Sequence, residues 1–326
     1  MDRFRVILSF MIFLFVISAL LFVMNSRSNA EDFGFRRLHG DNSRAAEDAG
    51  EGVAFSLEAG GKVRNYMVYE PAAAAGKKLP LMVVLHGGLG NSRSIERSTG
   101  MNRVADREGF IVAYPDGTEI ARSGMKGDRR TWNAGSCCGL AARQGVNDVA
   151  FIGKIIEDIS SRYNADRRRV YVAGFSNGGM MAYRLACEIP GKIAAIIPVS
   201  GALTIDSEVG KDVAVLHIHG AADNHVPFGG GEGALAMAGV SFRPVQETIK
   251  LVTRTRGCGA PVERDLNGNV RVFSYHCREG APVELYVIRG GGHVWPGSHR
   301  KNTEEPDTGG ISASQIAWDF AKQFSK

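Results

Sequence analysis

"VYVAGFSNGG", Val170 to Gly179, runs an apolar segment of strand character straight into a serine bracketed by glycines. Gly174 and Gly178 each stand two residues from Ser176. A tight turn would explain them. So would a nucleophile elbow, in which the serine is held in a strained conformation between strand and helix and only glycine at plus and minus two avoids a clash. With 41 Gly in 326 residues, chance alone yields about a third of a G-x-S-x-G match. The surrounding chain has to decide.

Apolar runs of strand length recur around this stretch. Leu79–His86, Phe110–Pro115, Val170–Phe175, Ile193–Ser200, Val213–Gly220 and Val283–Gly290 are continuous rather than alternating. Strands buried on both faces have that pattern, so a mostly parallel sheet covered by helices is expected. Between the runs, Val149, Ile152, Ile156, Ile159 and Tyr163 recur at helical spacing behind Asp148, a suitable N-cap. A second helix is expected after Ser176, and a last one over Ile311–Phe324. Strand and helix alternating five or six times, without internal repeats, give a single doubly wound α/β domain. Ser176 then falls at the carboxyl end of a central strand, where such sheets bind ligands.

A nucleophilic serine needs a base to take its proton and an acid to orient that base. In an α/β-hydrolase fold these follow in chain order, each on a loop after a later strand. "AADNHVPF" after Gly220 supplies Asp223, and "GGHVWPG" after Gly290 supplies His293. Asp223 could equally be an ordinary turn residue, since "ADN" is turn chemistry. Among the later histidines, His225 shares the loop of Asp223, His276 sits beside Cys277, and His299 lies in a polar segment. His293 alone has glycines before it and a strand end behind it. The developing oxyanion needs donors, for which "LHGGLGN", Leu85–Asn91, offers the backbone N–H of Gly88, with that of Asn177 as the second. His86 reads as a histidine that closes this loop.

Other motifs point elsewhere less well. His217 and His219 share a strand face but lack a third metal ligand at useful spacing, and no cysteine spacing fits zinc. No metal or cofactor is expected. "GGGEG", Gly229–Gly233, lacks the lysine of a phosphate loop. The dense basic run Arg167–Arg169 reads as a solvated helix end, so no nucleic-acid partner is expected.

The first thirty residues differ in kind. Arg3 and Arg5 precede an apolar run from Val6 to Met24, followed by "SRSNA", Ser26–Ala30. This reads as a signal peptide cleaved after Ala30, or as an uncleaved membrane anchor; both put the remainder outside the cytoplasm, secreted or periplasmic. Residues 31–52 read as a flexible leader and 53–326 as the catalytic domain. In an oxidising compartment the five cysteines can pair. Cys258 and Cys277 flank a hairpin-like "LNGN" turn, Leu266–Asn269, and are the expected bridge. Cys137 and Cys138 either bridge each other or send one partner to Cys187.

With these residues in place, the chain resembles the esterase family of polyhydroxybutyrate depolymerases and feruloyl esterases, from about Val63 onward. The resemblance rests on "LHGG", "YPDGT", "WNAGSCCG", "VNDVAFI", "GFSNGGMMAYRLACE", "HGAADNHVPF" and "GGGHVWPG", in that order. It implies an α/β-hydrolase fold, triad roles for Ser176, Asp223 and His293, and an oxyanion-hole role for Gly88, where many relatives carry the cysteine of "HGC". It further implies that Trp132 lines an acyl pocket. Trp132 and Trp295 together would give a feruloyl group an aromatic slot. The expected reaction is hydrolysis of a small or oligomeric ester: feruloyl, 3-hydroxybutyrate, or acetyl on carbohydrate. Because no linker or repeat follows the last helix, soluble oligomers are expected over insoluble polymer. A non-catalytic binding protein on the same scaffold would be expected to lack one of the three residues.

Overall fold

Ten strands form one sheet in the order β1-β2-β4-β3-β7-β8-β9-β12-β11-β10, and β5 and β6 form a separate pair. They are β1 (Val53–Ala59), β2 (Lys62–Tyr69), β3 (Leu79–Leu85), β4 (Ile111–Pro115), β5 (Thr118–Glu119), β6 (Arg130–Thr131), β7 (Ala165–Phe175), β8 (Ala195–Val199), β9 (Ala214–Gly220), β10 (Val262–Asp265), β11 (Val270–Tyr275) and β12 (Val283–Ile288). The computed structural model describes residues 50–72, 76, 78–120, 128–236, 239–298 and 306–326. The expected signal or anchor lies outside the described residues, as does the leader up to residue 49. No helix among the described residues is long and apolar enough to cross a membrane.

The six central strands from β4 to β12 pair in parallel, as their continuous apolar runs predict. Both sheet edges are antiparallel: β1 and β2 pair as a hairpin onto β4, and β10 and β11 pair onto β12. The first hairpin opens on β1, which carries no continuous apolar run of strand length, because an edge strand alternates. In β1 the side chains of Val53, Ala54, Ser56 and Glu58 are exposed while Phe55 and Leu57 are half-buried against the core.

The helices are α1 (Ser92–Thr99), α2 (Met101–Glu108), α3 (Gly139–Arg143), α4 (Asp148–Arg162), α5 (Asn177–Glu188), α6 (Val245–Arg254) and α7 (Ala313–Ala321). Side-chain alternation along the strands sorts them into two layers. Leu81, Val83 and Leu85 join one apolar cluster with residues of α4, α5 and α6. Met82 and Val84 join the other with residues of α1, α2 and α7. This is the α/β-hydrolase architecture.

Two local expectations are corrected. The N-cap of α4 is Asn147, whose side chain accepts the Ala150 N–H at 2.9 Å; Asp148 is instead buried, 2.8 Å from Arg64 Nη2. Arg64 itself stacks over Phe151, 4.1 Å from the ring centroid. Arg167–Arg169 belong to the exposed start of β7 rather than to a helix end, with Arg169 paired to Asp166 at 2.8 Å. Cys258 and Cys277 are bridged, S–S 1.98 Å, across the base of the β10–β11 hairpin. Cys137 and Cys138 bridge each other, leaving Cys187 as the free thiol, its pKa pushed up to about 12 by burial.

Candidate active site

Ser176 sits between β7 and α5 with φ 53° and ψ −120°, a backbone conformation that costs an ordinary residue about 1–3 kcal/mol. Its N–H donates to the Val199 carbonyl at 2.8 Å, anchoring the turn to β8. The flanking glycines are there for space. A Cβ on Gly174 would overlap the Gly178 carbonyl, and one on Gly178 would overlap the carbonyls of Leu85 and His86. The elbow thus presses α5 against the end of β3.

Asp223 lies three residues past β9, and His293 five residues past β12, its parallel neighbour. The two loops meet over the serine. His293 Nδ1 is 2.8 Å from Asp223 Oδ2, and its Nε2 is 2.9 Å from Ser176 Oγ. An ionised Asp223 only accepts, so Nδ1 carries the ring hydrogen and Nε2 offers its lone pair to the serine hydroxyl. The imidazole stands between two rings, with Phe175 at 4.9 Å and His225 at 4.7 Å between centroids.

The carboxylate of Asp223 is fully buried and densely supplied with donors. Its Oδ1 accepts the backbone N–H groups of His225 at 2.9 Å and Val226 at 2.8 Å. Oδ2 faces His293 and, at 3.3 Å, His219 Nε2. Burial works against the charge, yet hydrogen bonds from His219 and His293 hold the carboxyl well below the usual range.

The glycine loop after β3 crosses the front of the elbow. A Cβ on Gly87 would come 3.4 Å from the Ser176 Cβ, and one on Gly88 3.9 Å from that of Asn177. Leu89 N–H donates to Arg130 O and Gly90 N–H to Gly87 O, whereas no acceptor among the described residues takes the N–H of Gly88 or of Asn177. His86 pins the loop from behind. Its Nε2 accepts the Gly117 N–H at 3.0 Å, so Nδ1 donates to Gly87 O at 2.8 Å. Burial pushes its pKa down to about 4, which keeps it neutral.

A cleft of about 510 Å³ opens in front of this group, with Gly88, Arg129, Phe175, His293, Trp295 and Asp307 among its walls. Trp132 is not on them. It is wholly buried, its indole N–H donating to His86 O at 2.9 Å and its ring packed on the His86 imidazole. The expectation that Trp132 lines a pocket is therefore corrected: it backs the glycine loop. Trp295 does border the cleft, but it is buried too, its indole N–H donating to Ser314 Oγ at 3.1 Å.

Asp223, His225 and His293 bring atoms of metal-ligand type within 4.8 Å of one another, but two of those residues already share the hydrogen bond described above. His217 and His219 face each other instead of a common third ligand, at 3.0 Å. The two rings flanking His293 leave no local signal in the sequence, because Phe175 ends β7 while His225 and His293 lie on loops after β9 and β12.

Residues 64–224 match the family described as esterase PHB depolymerase. Feruloyl esterase C of Emericella nidulans is 34% identical over 215 residues, covering 56% of this chain and 78% of that protein. The chain belongs to this esterase family. Feruloyl esterase B of Piromyces equi is 29% identical over 272 residues, and the bifunctional acetylxylan esterase/xylanase of Neocallimastix patriciarum is 30% identical over 268 residues. These matches take in 80% and 81% of this esterase-family chain but only 45% and 34% of the two fungal proteins, so the chain spans less than half of either. An acetyl xylan esterase from Aspergillus awamori is similar in fold, with a TM-score of 0.52 at 17% identity over 74% of this chain and 94% of that one.

Proposed function

We propose that this member of the family is an exported carboxylic-ester hydrolase working through Ser176, His293 and Asp223. The observation that carries the reading is the continuous pair of hydrogen bonds from Asp223 Oδ2 through the His293 ring to Ser176 Oγ. In the first step Ser176 Oγ attacks the ester carbonyl and its proton passes to His293 Nε2. The N–H groups of Gly88 and Asn177 receive the oxyanion, and losing one such donor typically costs about 3–4 kcal/mol. Collapse of this intermediate breaks the ester bond, and the leaving alcohol takes the proton from His293. Water, deprotonated by the same nitrogen, then attacks the acyl-enzyme; collapse breaks the acyl–Oγ bond and releases the carboxylic acid, and His293 returns the proton to Ser176 Oγ. Asp223 holds the imidazole in the required tautomer throughout.

The substrate reading takes in feruloyl and acetyl esters of carbohydrate, after the relatives' names, together with 3-hydroxybutyrate oligomers. The cleft keeps Phe175 and Trp295 on its walls, while the buried Trp132 is not the second ring expected for a feruloyl slot. Two disulfides support export, with the segment before Glu31 as signal or anchor.

The test is hydrolysis of p-nitrophenyl acetate and butyrate, methyl ferulate and 3-hydroxybutyrate oligomers, with Ser176→Ala as control. The variant is expected to lose about a million-fold in kcat, and a serine-directed organophosphate should label Ser176. A folded Ser176→Ala protein with near-normal turnover would overturn the assignment. No turnover on any ester and no labelling would favour a binding protein on this scaffold.

A further inference from the structure

Two histidines on β9 take no part in the reaction above. His217 and His219 lie on the face turned toward α5, both fully buried. His219 Nε2 is 2.8 Å from the Val226 carbonyl and 3.3 Å from Asp223 Oδ2. Both partners are acceptors, so Nε2 must carry the hydrogen. The Nδ1 of a neutral ring is then a lone pair, and it lies 3.0 Å from His217 Nε2, which has to be its donor. That leaves His217 Nδ1 to accept the hydroxyl hydrogen of Tyr183, 2.8 Å away on α5. The chain therefore has one direction, from Tyr183 through His217 and His219 into the loop bearing Asp223. Reversing it would aim the His219 lone pair at a carbonyl and a carboxylate. Burial lowers the pKa of His217 well below its ordinary value and raises that of Tyr183, so both stay neutral. Tyr183, like the two histidines, is closed off from solvent, so the chain orders the site rather than conducting protons.

The loop is held twice over. Val226 offers its N–H to Asp223 Oδ1 and its carbonyl to His219 Nε2, so one imidazole fixes both the turn and the carboxylate. We propose that His219 is a positioning residue for Asp223, and that His217 and Tyr183 fix its tautomer. The proposal rests on Ser176, His293 and Asp223 being the reacting set.

The experiment measures kcat and KM for p-nitrophenyl acetate in His219→Leu, His219→Gln and Tyr183→Phe, each alone and combined with Asp223→Ala. His219→Leu is expected to lower kcat about 10- to 100-fold, the effect of removing a hydrogen bond to a charged group, with KM changed less than about twofold. His219→Gln keeps an N–H near the Nε2 position and should recover most of the loss. Tyr183→Phe should lower kcat several-fold. Once Asp223 is already Ala, none of these changes should cost further activity, because the group being positioned is gone. Equal losses in both backgrounds, or a His219→Leu protein with wild-type kcat, would overturn the proposal. Should His219→Leu fail to fold, Tyr183→Phe decides: wild-type kcat, or an equal loss in both backgrounds, would overturn the proposal. An inactive Ser176→Ala beside an unimpaired His219→Leu would refute this inference alone, whereas an active Ser176→Ala would refute the reading beneath it.

Discussion

Asn177 grips the backbone of Trp132 from both sides, its Oδ1 accepting the Trp132 N–H at 2.7 Å and its Nδ2 donating to the Trp132 carbonyl at 3.2 Å. The residue that follows Ser176 is thereby tied to the segment that backs the glycine loop. Asn177→Ala would leave the buried Trp132 N–H unpaired, at about 1–3 kcal/mol, while the Trp132 carbonyl keeps the Cys138 N–H at 3.2 Å. Urea denaturation should show a lower midpoint with an unchanged slope, and kcat should fall as the loop relaxes. An unaltered midpoint would mean that the clamp contributes nothing.

The glycines of the chain differ sharply in what an added methyl group meets. On Gly178 it would overlap two backbone carbonyls, which cannot swing aside as a side-chain tip can. Gly178→Ala is expected to cost at least about 2–3 kcal/mol and most of the activity. On Gly153, inside α4, it would meet no atom within 4 Å. Gly153→Ala should add up to about 1 kcal/mol through helix propensity. Thermal melts of the two variants should move in opposite directions.

Acid should weaken the fold before carboxylates titrate. A histidine with a depressed folded-state pKa costs stability wherever the unfolded chain takes up a proton that the folded one refuses. His86, pushed down to about 4, and His217, lowered well below its ordinary value, open that window at about pH 6.5, and the His86 part closes near pH 4. Together they should remove roughly 2–3 kcal/mol between pH 7 and 5.5. The carboxyl of Asp148, raised by burial that Arg64 only partly offsets, works in the opposite sense. Asp223, being depressed, costs stability only below about pH 4. Unfolding free energies that agree at pH 7 and 5.5 would contradict this.

The bridge between Cys258 and Cys277 spans 19 positions and closes the edge hairpin. Replacing both by serine should cost about 3 kcal/mol, chiefly through the freedom returned to the unfolded chain. Because the bridge lies apart from Ser176, Asp223 and His293, kcat at 25 °C should remain near that of the parent. A denaturation curve identical to that of the reduced parent would support this account, and one identical to the oxidised parent would refute it.

Ser176, Asp223 and His293 could be picked out of the sequence because each follows a continuous apolar run, and only a buried parallel strand calls for such a run. The β1–β2 hairpin was hidden by its own alternation, and the true start of β7 by Asp166–Arg169, charged residues at a solvent-exposed strand end. Asn147 and Asp148 are both good caps, and only the buried Arg64 chooses between them. The resemblance implied a cleft position for Trp132, and nothing local shows that Asn177, 45 positions away, draws its backbone inward. His217 and His219 resembled half of a metal site for a similar reason: their partner Tyr183 comes from another element, 34 positions earlier.

Gly220 of β9 stands opposite Ile288 of β12, and the loops bearing Asp223 and His293 begin just beyond that rung. A slip of one residue between these strands would carry His293 about 3.3 Å along the sheet. That displacement exceeds the 2.8 Å separating its ring nitrogen from the carboxylate. The same slip would turn each side chain of the shifted strand to the other face, so the register that packs the core is also the one that brings the two loops together. On the proposed reading, ester hydrolysis would therefore report the register of β9 against β12.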